Sequence, residues 1–171
     1  MALGSFAPGP YTMTYNAVTV GLVNESGKTL KYQYFGKDMR AGLYGLTVID
    51  QVYQGARCFL GPIFFKEWTT ANKKIFWPYP QAAPVMGALG TPGTLESDNA
   101  KQIVLTVVAG TPAATLGPTT LTAPLAILAK SNDVSVLFGC DERDVPVLFE
   151  LLPYDSGSGV IKFFALSGGS Q

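Results

Sequence analysis

The chain has 171 residues, enough for one domain, and a compact domain of that size buries roughly 70% of the surface its unfolded chain exposes. Apolar residues make up 47% and charged residues 14%, with twelve basic side chains balancing twelve acidic ones. That composition excludes a disordered tail and a surface that grips nucleic acid or anionic lipid through bulk charge. Histidine is absent, which removes Ser-His-Asp and Cys-His catalysis and His-ligated zinc.

So few charges, with a mean hydropathy of +0.23, point to a surface covered in an assembly. Cys58 and Cys140 form no C-x-x-C pair and read as buried free thiols. The first basic residue is Lys28, so no basic leader precedes an apolar run. No uninterrupted apolar run approaches the roughly 18 residues of a membrane span. The expectation is synthesis in the cytoplasm and no membrane partner.

Residues 1–10 hold two prolines, two glycines and no charge, and read as an extended N-terminal arm. From Tyr11, the set Met13, Tyr15 and Ala17 alternates with Thr12, Thr14 and Asn16, a strand signature, and 18–23 continues as a second or bent strand before a turn at 25–28. Over 29–35, Leu30, Tyr32 and Tyr34 oppose Lys31 and Gln33, as in a strand with one buried and one wet face. Residues 36–45 combine three glycines with Lys37, Asp38 and Arg40 and show no period, so a loop is expected. Segments 47–53 and 56–65 read as strands joined by a turn at Gln54-Gly55, the second interrupted at Gly61-Pro62, where a bulge, edge or bend is expected.

The best helix spans 69–77: Thr69 or Thr70 caps it, Trp68, Ala71 and Ile75 form its apolar stripe, and Pro78 ends it. At about two turns it must lie against a sheet. A proline- and glycine-rich excursion covers 78–100, uncharged over 78–93. The remaining strand candidates are 102–108, 121–129, 134–140, 145–152 and 160–166, followed by a tail at 167–171. No stretch repeats at a fixed period, which excludes solenoids and propellers. The expected architecture is a single mainly β domain of two packed antiparallel sheets, a sandwich or partial barrel, with one short α-helix. Between Gln102 and Ala129 there is no charged residue, although 111–118 is loop by composition, as expected of a segment covered by a neighbour.

The chemistry-bearing groups favour no reaction. Asp141-Glu142-Arg143-Asp144 is the densest charge cluster and reads as a solvated turn in preference to a metal loop. The G-x-x-G-x-x-G run at 87–93 has no strand before it, no helix after it and no P-loop lysine. Lys66-Glu67 and Lys73-Lys74 read as the wet side of the helix, and Trp68, Phe76, Trp77 and Tyr79 as the group that pins it to the sheet. No catalytic, cofactor-binding or metal-ligating residue is assigned, and no enzyme and no cofactor is expected.

A strand with alternating aromatics is followed by a loop ending in Tyr44-Gly45-Leu46-Thr47-Val48-Ile49-Asp50-Gln51-Val52, then Gln54-Gly55, then an apolar strand running into Glu67-Trp68 and a short helix. This order resembles the tail tube proteins of long-tailed bacteriophages. So does the ending, where Val145-Pro146-Val147-Leu148-Phe149-Glu150-Leu151-Leu152-Pro153 precedes a glycine-rich turn and 160–166. The resemblance rests on element order and covers most of the chain from about Tyr11 to Leu166.

It implies a virion structural protein, made in the host cytoplasm, whose subunits close into hexameric rings. In that family the inner sheets of a ring join into a β-barrel, and stacked rings form the channel for DNA. Partners would be further copies, other phage structural proteins and DNA passing without sequence-specific contacts. Carried over by position, the 36–45 loop reaches the next ring. The interface candidates are then Lys37, Asp38, Met39, Arg40, Leu43 and Tyr44, with Pro8 and Pro10 in the arm, Glu67 and Trp68 beside the helix, and the tail 167–171. A capsid decoration (cement) protein or a tail terminator is the alternative. A small carbohydrate-binding or hydrolytic β-sandwich using Trp68, Trp77 and an acidic group is the third reading.

Overall fold

A computed structural model of the protein describes residues 11–20, 29–40, 48–67, 69–79, 90, 92–108, 118–130 and 145–168. Among them the chain is mainly β, with strands β1 (Tyr11–Tyr15), β2 (Val18–Thr19), β3 (Leu30–Arg40), β4 (Val48–Phe65), β5 (Lys101–Val107), β6 (Thr120–Leu128), β7 (Val145–Leu151), β8 (Tyr154–Asp155), β9 (Ile161–Lys162) and β10 (Ala165–Ser167). Its helices are α1 (Thr70–Phe76) and α2 (Glu96–Asn99). Two antiparallel sheets of very unequal size result: an eight-stranded sheet in the order β2-β1-β5-β6-β7-β4-β3, with β10 also paired to β6, and the ribbon β8-β9.

The alternation read in β1 is realised: Met13 and Tyr15 are buried while Thr12 is exposed. Asn16 and Ala17, both at positive φ, form the two-residue turn into β2, the left-handed geometry that tight hairpins need. In β6 the pairing with β5 slips between Ala123 and Ala126, where two residues face the single Gln102. Pro124 sits in that slip, since a residue with no N–H is tolerated where a ladder bond is already missing. On its other edge β6 is shared, with Thr120–Thr122 on β10 and Ala126–Leu128 on β7.

The sheet curls. Tyr15 of β1 meets Phe149 of β7 with ring centroids 5.9 Å apart, although β5 and β6 lie between those strands. Phe149 also touches Phe65 (6.5 Å), which makes an edge contact with Phe76 of α1 at 5.6 Å. Around this chain of rings pack Met13, Leu60, Ile63, Ile103 and Leu151, all fully buried. The expected helix forms, and of its predicted stripe Ile75 is buried, while the side chains of Trp68 and Ala71 lie outside the description. Thr69 caps it, its Oγ1 accepting from the Asn72 backbone N–H at 3.2 Å, while Ile75 and Phe76 enter the core and Pro78 follows its end. Buried Asn72 donates its Nδ2 to the Glu67 carbonyl at 2.6 Å, tying the start of α1 back to the end of β4.

The structure corrects several sequence expectations. Residues 36–40, read as part of a loop, continue β3. A ribbon wet on both faces has no reason to show a period, so alternation could not reveal it. Gln54-Gly55 is no hairpin turn: β4 is one strand of 18 residues. A glycine pair suits a bulge as well as a turn, and the long-range register with β3 selects the bulge. At Gly61-Pro62, where an interruption was expected, the pairing of β4 with β7 slips between Leu60 and Ile63. Gly61 lies there at φ +132°, and a Cβ on it would come 2.8 Å from the Val147 carbonyl oxygen.

Segment 160–166 divides into β9 and β10, with Phe163 and Phe164 half-buried between them. One-turn α2 stands inside the 78–100 excursion, and Lys130 Nζ reaches Glu96 Oε1 at 3.0 Å to tie it to the end of β6. The N-terminal arm 1–10, the turn at 25–28, the strand expected at 134–140, the acidic cluster at 141–144, Cys140 and most of the 87–93 glycine run lie outside the described residues.

Two substitutions test this account of the core by urea unfolding. Phe149→Ala removes the ring that links β1, β4 and β7 and is expected to cost about 3–5 kcal/mol. Thr69→Ala removes only the helix cap, and about 1 kcal/mol is expected.

Candidate interaction surface

The hairpin of β3 and β4 is longer than the body that supports it. β7 pairs with β4 from Cys58 to Phe65, and β3 lies on its other side as far as Leu60, so both neighbours flank β4 from Cys58 to Leu60; the last β7 pair is Cys58 with Leu151. From Arg57 back to Val48, β3 is its strand neighbour among the described residues. Beyond that point the hairpin leaves the body as a two-stranded arm, and at about 3.4 Å per residue the stretch from Tyr32 to Arg40 reaches about 27 Å.

Both faces of the arm are open. Every residue of β3 after Leu30 is exposed, as are Val48 and Asp50 to Gln54. On the face continuous with the core, Tyr32 stacks on Tyr34 (6.2 Å between centroids), Tyr34 meets Tyr53 (6.4 Å), and Tyr32 also touches Phe163 and Phe164. Tyr34 is 71% exposed and Tyr53 66%, so the row that the sequence marks as a buried face becomes an aromatic stripe in solvent. Here burial fails because the buried core along the hairpin ends at Cys58, a property no local pattern carries. Across the arm, Lys37 pairs with Val52 and Met39 with Asp50.

Polar contacts on the arm are local. Gln51 Nε2 donates to Asp38 Oδ1 at 2.9 Å, and Arg40 lies 3.6 Å from the same carboxylate. Exposed contacts of this kind contribute at most about 1 kcal/mol. An exposed apolar stripe on a two-stranded ribbon is the kind of surface that association covers. The outer edge of β3 adds backbone groups with no strand neighbour among the described residues.

Where the arm joins the body, the opposite sheet face carries a shallow cleft of about 470 Å³ floored by Phe59, Pro62 and Leu148 and edged by Lys31 and Gln33. Beside it Arg57 Nε approaches Glu150 Oε1 at 3.3 Å, giving that buried carboxylate a charged partner. Cys58 is buried opposite Tyr32 in the β3–β4 pairing; burial pushes its thiol up to about 11, so it stays protonated near neutral pH and is a poor nucleophile. Burial likewise raises Tyr15 to about 12, and burial together with Cys58 raises Tyr32 to about 12. Among the described residues no cluster of three or more His, Cys, Asp or Glu side chains could hold a metal, and no helix is long and apolar enough to cross a membrane.

Of the interface candidates, Lys37, Asp38, Met39 and Arg40 stand together on the exposed end of β3. Glu67 lies two residues past the far end of β4, half-buried, with its carbonyl holding Asn72. The structure therefore does not bring Glu67 together with the arm. Pro8, Pro10, Leu43, Tyr44, Trp68 and the last residues of the tail lie outside the described residues. Sequence reasoning missed Tyr34, Val52 and Tyr53, whose exposure follows from strand lengths. Compared with protein-family models and with curated proteins, the chain matches none.

The raised thiol and phenols set an alkaline limit on stability. Unfolded, these groups ionise near 9 and 10; folded, they keep their protons to higher pH. Their contribution is therefore complete below pH 9 and is lost as pH rises from 9 toward 12. Urea midpoints are expected to fall over that range, and less steeply between pH 9 and 11 in Cys58→Ala.

Proposed function

We propose that the protein is a self-assembling structural subunit and, within that class, a tail tube subunit of a long-tailed bacteriophage, forming stacked hexameric rings around a DNA channel. The observation that carries the reading is the β3–β4 arm. It projects from the body, exposes apolar side chains on both faces, and occupies the place in the chain that the resemblance gives to the segment reaching the next ring. Lys37, Asp38, Met39 and Arg40 then meet the neighbouring ring, together with the exposed Tyr34 and Tyr53.

The sheet ends suit ring closure. A two-residue β2 terminates one side and an eleven-residue β3 the other, and joining edges between copies removes unpaired backbone groups. Pro8, Pro10, Glu67, Trp68 and the tail 167–171 are proposed as further subunit contacts. Zero net charge suits a channel wall that DNA slides past, because a basic wall would hold it. The proposed partners are copies of the chain, other phage structural proteins and passing DNA. The proposed location is the virion, and neither catalysis nor a cofactor enters the reading.

Electron microscopy over a concentration series, paired with light scattering, tests it. Hollow rings and stacks are expected; monomers or trimers at every concentration would contradict the tube and favour a capsid decoration role. Replacing 37–52 by Asn-Gly leaves Gly36 and Tyr53 joined through a two-residue hairpin turn. The unfolding midpoint is expected to hold while stacking is lost, and normal stacking would remove the arm from the contact. The milder pair Tyr34→Ser and Tyr53→Ser is expected to shift stability by no more than about 0.5 kcal/mol, as exposed substitutions do, and to lower the mass seen by light scattering at a given concentration.

A further inference from the structure

We propose that the arm moves as a unit on a joint at its root, built from Gly36, Gln54 and Gly55. The pairing runs Phe35 with Gly55 and then Gly36 with Tyr53, leaving Gln54 as an extra residue opposite no partner. This is a β-bulge with a glycine on each strand. Gly55 sits at φ +143°, and a Cβ added there would meet nothing within 4 Å. The glycine is therefore required by backbone conformation and not by lack of space. Glycine has the broadest torsional freedom of any residue, and a bulge removes the ladder bond that would otherwise stiffen the level where it lies.

The position of the joint is the second observation. The last pair between β4 and β7 is Cys58 with Leu151, three residues from Gly55 on the body side, so the bulge falls just past the end of lateral support. Beyond it the polar contacts of Asp38 with Gln51 and Arg40 lie within the arm and join it to no other element among the described residues. The ring contact of Tyr34 with Tyr53 spans the joint, but both rings are mostly exposed and can slide over one another. A ribbon that is three-stranded from Leu60 to Cys58 and two-stranded from Arg57 onward bends at the first break in its ladder, the bulge. The pivot lets one chain present Tyr53, Val52 and the Lys37–Arg40 segment beyond the bulge at a range of angles, from which a neighbour selects one. It is a property of the free chain and stands whether that neighbour is another ring or a different surface.

Deleting Gln54 makes the test sharp, because Phe35–Gly55 and Gly36–Tyr53 then become consecutive pairs and every side chain keeps its face. Pulsed electron-electron double resonance compares two spin-label pairs in a Cys140→Ser chain, at a concentration where light scattering gives the monomer mass. One pair, Asp50→Cys with Thr12→Cys, spans the joint. The other, Gln33→Cys with Thr12→Cys, stops below it on the same hairpin. Buried Cys58 stays unlabelled.

The expected result is a distance distribution at least twice as broad for the first pair as for the second, falling to the width of the second once Gln54 is deleted. Equal widths in the parent chain would overturn the proposal, as would a deletion that folds and leaves the first pair broad. The parent comparison decides the matter even if the deletion does not fold. Failure here leaves the ring-forming reading to be judged by microscopy, and failure of that reading leaves the joint to be judged by these distances.

Discussion

Everything distinctive about this molecule follows from a mismatch in strand length. β4 has 18 residues and β7 has seven, so β7 lies along β4 over only its second half. Where β7 stops, at Leu151 opposite Cys58, burial stops with it. The same row of side chains passes from Leu60 and Cys58 in the core to Tyr34 and Tyr53 in solvent. One rigid body and one projecting ribbon are thus made by a single hairpin, with no change in secondary structure between them.

The body can carry the arm because its core is continuous. Rings link β1, β7, β4 and α1 through Tyr15, Phe149, Phe65 and Phe76, so the end of β4 remote from the arm is clamped from several elements. Thr69 and Asn72 fix the exit of β4 into α1 with hydrogen bonds at 3.2 and 2.6 Å. The slip at Gly61-Pro62 lets β4 turn within the sheet, and the slip at Pro124 lets β6 serve β10 with one half and β7 with the other. Fixed at one end and free at the other, β4 acts as the lever on which the proposed function and the proposed joint both depend.

Local patterns revealed the elements whose form is set by burial on one face. Alternation located β1 through Met13 and Tyr15, and Thr69 and Pro78 bracketed α1, because caps and stripes are written in adjacent residues. The arm escaped them for a physical reason. Lys37-Asp38-Met39-Arg40 is wet on all sides and needs no period, and Gln54-Gly55 has the composition of a turn although its role is a bulge. Both are settled by pairing between residues up to 30 positions apart. The candidate surface was half legible. Lys37 to Arg40 were singled out from the resemblance and do lie on the exposed arm, whereas Tyr34 and Tyr53 were assigned to a buried face or passed over, since how far the core extends along the hairpin decides their exposure.

The central claim is that the arm is an unsupported surface that a neighbouring copy covers. Hydrogen exchange measured by mass spectrometry on dissociated and assembled protein tests it most directly. The account predicts fast exchange for the amides of 36–40 and 48–54 in the dissociated chain, strong protection of the same amides after assembly, and unchanged slow exchange in β7. Arm amides that exchange equally fast in both states would contradict it.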